Sequence, residues 1–161
     1  MLFSDTTADG CDGGNPVLAY EYVYSAGGIE SNATYPYTSY WDVTGTCEDE
    51  DDYVVTITDA YTFESSDVES SMEDYVLSTG PLSVCLDAST WASYTGGIVS
   101  SCPTDVDHCV QITGVNLDDG YWIVRNSWGT EWGLDGFIWL KTGVNICDIT
   151  YLPTYTSMES V

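Results

Sequence analysis

The chain has 161 residues, with 26 Asp+Glu against 2 Lys+Arg and a formal net charge of -24 at pH 7. That balance excludes nucleic-acid binding, which needs a basic surface for phosphate, and an anionic membrane surface would repel it. A chain of one domain's length that is 43% hydrophobic and 14% aromatic reads as folded, and without a run of eighteen apolar residues it has no transmembrane helix.

Residues 15–26 (NPVLAYEYVYSA) have helical spacing, with Val17, Leu18 and Tyr22 on one side and Gly27-Gly28 as a stop. Residues 33–53 are loop-rich. They contain Pro36, Gly45 and the acidic run Glu48–Asp52, which reads as a solvated loop because no EF-hand spacing supports calcium. Residues 53–63 alternate as a strand. Residues 66–79 read as a helix capped by Asp67, with Val68, Met72, Tyr75 and Val76 on one face and Gly80-Pro81 ending it. Leu82–Leu86, His108–Val115, Tyr121–Asn126 and Gly136–Lys141 read as strands, and the polar tail from Thr154 onward as loose. No basic region followed by an apolar stretch marks a signal peptide. Six cysteines without a CxxC pair argue for disulfides and against a zinc ribbon. Asn32-Ala33-Thr34 is an N-glycosylation sequon. The acidic surface fits high salt, a cationic partner, divalent ions or an acidic compartment, and the sequence does not choose among them.

The chemistry concentrates in two segments. The chain's single histidine, His108, stands eighteen residues before Asn126, which opens the segment NSWGTEWG. An imidazole there can act as general base, a neutral amide can fix its tautomer, and Trp128 can roof the bond between them. Without the NSWG segment, a lone histidine would read as a structural one.

The segments VDHCVQITGV (106–115) and GYWIVRNSWGTEWGLDGFIWLK (120–141) resemble the papain-like cysteine peptidases. GCDGGNP (10–16), AGGIESNATYPY (26–37), GPLSVCLDA (80–88) and YTGGIVSSC (94–102) resemble further segments of that family, so the likeness runs from about Gly10 to Leu152. The resemblance implies an α+β, papain-like fold. Residues 54–152 would form an antiparallel, barrel-like right domain, residues 1–53 the remnant of an incomplete helical left domain, and residues 153–161 a tail. It implies His108 and Asn126 as catalytic residues, supported by Trp128, Trp132 and Asp107. Gly13, Gly14, Asn15, Pro16, Cys85, Cys109 and Leu152 would face substrate. It further implies a Cys102–Cys147 disulfide, and the positions of Cys85 and Cys109 on neighbouring strands suggest a second, stapling a pocket wall. Neither metal nor cofactor is implied, and the family is secreted, extracellular or lysosomal/vacuolar.

The family's nucleophile segment, Cys-Gly-Ser-Cys-Trp, has no counterpart in these residues. None of the six cysteines lies in a matching context, and the usual partners of Cys11 and Cys47 are missing. The expectation is therefore a cysteine peptidase represented by a fragment with the His/Asn half of the site. Its substrate would be a peptide or protein once a nucleophile is supplied. The alternative is an inactive homologue, a structural or peptide-binding subunit whose left domain is completed by a partner chain.

Overall fold

The computed structural model describes residues 9–46, 52–63 and 67–160. Cys47 and most of the acidic run lie outside them. The chain divides into two compact units, one from the N-terminus to Tyr61 together with Thr156 onward, the other Thr62–Tyr155.

In the first unit, helix α1 spans Pro16–Ala26. Its start is built by Asn15, whose side chain accepts the Val17 N–H at 2.8 Å, and by Pro16 in the first turn, where a missing N–H costs nothing. Gly27, in the left-handed region at φ 95°, ends it. Strand β1 (Ile29–Glu30) pairs antiparallel with β2 (Tyr53–Thr62). A side chain at Gly28 would collide with Tyr53 at 2.7 Å, so this close approach requires glycine.

The second unit holds the main core. Helix α2 (Val68–Ser78) is capped by Asp67, whose carboxylate accepts the Ser70 N–H. Next come β3 (Leu82–Leu86), β4 (Ile98–Val99), β5 (His108–Asn116), β6 (Tyr121–Arg125) and β7 (Phe137–Lys141). Their order in the sheet is β3-β5-β6-β7-β4. The β3–β5, β5–β6 and β6–β7 pairs are antiparallel, whereas β4 runs parallel to β7, with Ile98 opposite Trp139. Val84, Leu86, Ile112, Trp122, Val124, Ile138 and Leu140 alternate onto one face and pack with Met72 of α2 and Ile149. Glu69 of α2 ties this layer to the loop after β7, accepting from the Trp122 indole N–H (3.1 Å), the Gly143 N–H (2.8 Å) and the Asn145 N–H (2.9 Å).

One expectation changes. The tail is not loose: Thr154–Ser160 forms strand β8, with Thr154 fully buried opposite Ser83. Farther along, the Ser157 hydroxyl meets Thr58 at 2.6 Å. Small β-branched and hydroxyl side chains fit a pleated surface although they carry no apolar alternation.

Candidate active site

His108 is the first residue of β5, paired across the sheet with Leu86, the last of β3. The turn leading into it is held by carboxylates. Asp107 donates its N–H to Leu86 O at 3.1 Å and accepts the Ala88 N–H at 2.8 Å. Asp87, 1% exposed, accepts from the Ser89 hydroxyl, the Ser89 N–H (2.9 Å) and the Asp105 N–H (2.8 Å). Those donors, the Ser89 hydroxyl foremost, hold the Asp87 carboxyl below the usual carboxylate range against the opposing effect of burial.

Asn126 lies just past β6, its N–H donated to Gly136 O at 2.9 Å. Its Oδ1 sits 2.9 Å from His108 Nε2 and accepts the Ser127 N–H at 2.8 Å. The second contact decides the first. Only an oxygen can face a backbone N–H, so Asn126 turns its carbonyl, not its amine, toward the ring. His108 Nε2 must then be the donor. In the neutral ring this leaves the Nδ1 lone pair free to take a proton, which is the state a general base needs.

Aromatic rings enclose the pair. Trp128 stacks on the His108 ring at 5.3 Å and 25°, while remaining 42% exposed on its outer face. Trp91, almost fully buried, meets His108 at 6.4 Å and 86°. Trp132 stacks on Trp91 at 6.2 Å, meets Trp128 edge-on at 5.1 Å, and donates its indole N–H to Trp91 O at 3.1 Å. The ring faces can stabilise an imidazolium by cation–π attraction and keep water from the Nε2–Oδ1 bond. The loop carrying both tryptophans turns at Gly133, φ 62°, where an added Cβ would lie 2.5 Å from Phe137 O.

The remaining expected residues fall as follows. Cys85 and Cys109 face each other in β3 and β5 and form a disulfide, as do Cys102 and Cys147. Leu152 is half-buried before β8. Gly13, Gly14, Asn15 and Pro16 belong to the first unit, where Asn15 caps α1. Asn32 is exposed in a turn held by Ser31 and Thr34. Cys11, also in the first unit, is an exposed free thiol. Among the described residues no cluster of His, Cys, Asp or Glu could hold a metal ion, and no helix is long and apolar enough to cross a membrane. Trp91 and Asp87 were not singled out in the sequence. The only signal for Asp87 is the Asp-x-Ser spacing of a local side-chain turn, and a tryptophan in a short irregular segment gives none.

The family described as Papain family cysteine protease matches residues 3–157. The chain belongs to the papain family of cysteine proteases. Cysteine proteinase 1 of Dictyostelium discoideum is 36% identical over 152 residues, 88% of this chain and 43% of that protein. The digestive procathepsin L2 proteinase of Tenebrio molitor larval midgut superposes with a TM-score of 0.88 at 32% identity, over 97% of this chain and 51% of that one. The bromelain protease of Ananas comosus, solved with the E64 inhibitor, superposes with a TM-score of 0.86 at 32% identity, over 98% of this chain and 75% of that one. This papain-family chain thus spans a little under half the length of the curated relatives it matches.

Proposed function

We propose that this chain supplies the general-base half of a peptide-bond-cleaving cysteine peptidase, with its nucleophile on residues outside these 161. The observation that carries the reading is the doubly engaged Asn126 Oδ1, which fixes His108 as an Nε2–H donor with Nδ1 available. A thiol placed at Nδ1 would give that nitrogen its proton, and the resulting thiolate would attack the peptide carbonyl. His108 would then protonate the leaving amine, and in deacylation take a proton from the attacking water and return it to the departing thiolate. Trp128 and Trp132 shield that base, and Asp107 fixes the turn before it. Gly13, Gly14, Asn15, Pro16 and Leu152 are proposed to meet an extended peptide.

The cysteines support a nucleophile elsewhere. Four of the six are taken up in the Cys85–Cys109 and Cys102–Cys147 disulfides, and a disulfide sulfur is no thiolate. A second reading, a non-catalytic subunit completed by a partner chain, draws support from Tyr40, Trp41 and Val43. These are strongly exposed in the first unit, Trp41 at 80%. In either reading the disulfides and the Asn32 sequon favour a secreted, extracellular or lysosomal/vacuolar location.

The test is affinity labelling. The 161-residue chain alone should not turn over a dipeptidyl fluorogenic substrate. In the full-length protein a peptidyl epoxide should alkylate a cysteine other than the six present here. Labelling of one of these six, or turnover by the isolated chain that His108→Ala abolishes, would overturn the proposal.

A further inference from the structure

His108 is tied to strand β3 from both sides. On its N-terminal side Asp107 bonds to Leu86 O and to the Ala88 N–H. On its C-terminal side Cys109 is covalently bonded to Cys85. The register runs Cys85–Cys109, then Leu86–His108, so the disulfide and the imidazole occupy neighbouring rungs. Successive strand residues point to opposite faces, so the sulfurs lie behind the backbone that carries the ring. Five register pairs already join β3 and β5. The crosslink is therefore not needed to pair the strands, and its specific effect is on the rung beside it.

We infer that the Cys85–Cys109 disulfide is a positioning device for His108, and that a dithiol reductant opens it and releases the ring from its single tautomer. A reductant thiolate attacks the sulfur of Cys109, the less buried partner, Cys85 being 4% exposed. The Cys85 thiolate leaves and takes a proton. The reductant's second thiol then attacks the mixed disulfide and releases Cys109 as a thiol. One protein disulfide and one dithiol become two protein thiols and one cyclic disulfide. Opening removes the covalent tie on the rung beside His108 and loosens that rung on one side, while the Asp107 bonds persist. A reductant that keeps a catalytic thiol active would, through this pair, detune the base that activates it.

The inference rests on His108 as the general base, but its test does not read turnover. In full-length protein labelled with ¹⁵N at histidine, the His108 imidazole signals are assigned by their loss in His108→Gln. They are followed during dithiothreitol titration, and alkylation with mass mapping shows when Cys85 and Cys109 open. Measured above the range where the ring protonates, the oxidised protein should show one Nε2–H tautomer. That signature should be lost as the pair opens and should return on reoxidation. Cys85→Ala with Cys109→Ala should show the same loss without reductant, and if that variant does not fold the wild-type titration decides alone. Signals unmoved while both thiols are alkylated would overturn the inference. So would alkylation of both cysteines in the untreated native protein. Absence of turnover with tautomer release intact would instead count against the peptidase reading alone.

Discussion

Replacing Asn126 with alanine removes the one acceptor that His108 Nε2–H and the Ser127 N–H share, at 2.9 and 2.8 Å. Both donors lose a partner, but only the ring can respond by moving its proton. A net hydrogen bond is worth about 0.5–1.5 kcal/mol, so the preference for the Nε2–H tautomer should weaken by a factor of about 2–12. Asn126→Asp keeps an acceptor for both donors and should preserve the tautomer while adding a charge beside the ring. The assay is the pair of imidazole ¹⁵N shifts of His108 in full-length protein, measured above the range where the ring protonates. Wild type and Asn126→Asp should show one tautomer and Asn126→Ala a mixture. A wild-type ring protonated at Nδ1, or an Asn126→Ala ring indistinguishable from wild type, would refute the assignment of the base.

Three further outcomes are expected. Gly133→Ala places a Cβ against Phe137 O in a left-handed turn; it should cost about 1–3 kcal/mol, seen as a lower Tm with altered tryptophan fluorescence. Glu69→Ala leaves the fully buried Trp122 indole N–H without its acceptor and frees the Gly143 and Asn145 amides; about 1–3 kcal/mol of stability should be lost in chemical denaturation. The Asp87 carboxyl titrates lower folded than unfolded. Its stabilisation is therefore present above the unfolded value, about 3.9, and is lost as pH falls below that toward the folded value. Asp87→Asn should flatten the part of the Tm profile below about pH 4, and a profile unchanged by the substitution would contradict the assigned hydrogen bonds.

What was legible in the sequence follows from what each residue advertises. Leu82–Leu86 carries its own boundaries, since Gly80-Pro81 cannot continue α2 and Leu82, Val84 and Leu86 alternate as buried apolar positions. Asn15-Pro16 and Asp67 announce helix starts because capping is local chemistry. The pairing of His108 with Asn126 was legible only through family resemblance, since eighteen residues and a hairpin separate them. Long-range polar ties were not legible. Glu69 reaching Gly143 and Asn145, and Asp87 reaching Asp105, are carboxylates that a linear reading assigns to solvent. Strand β4 is two residues long and parallel, too short for any period to show, and β8 lacks apolar alternation because hydroxyl contacts stand in for it.

The most direct measurement is kcat/KM for a dipeptidyl substrate in the full-length protein with and without His108→Ala. General acid–base catalysis contributes about 10²–10⁴-fold. The account predicts a loss of at least that size with the fold intact, whereas turnover unchanged by the substitution would contradict it.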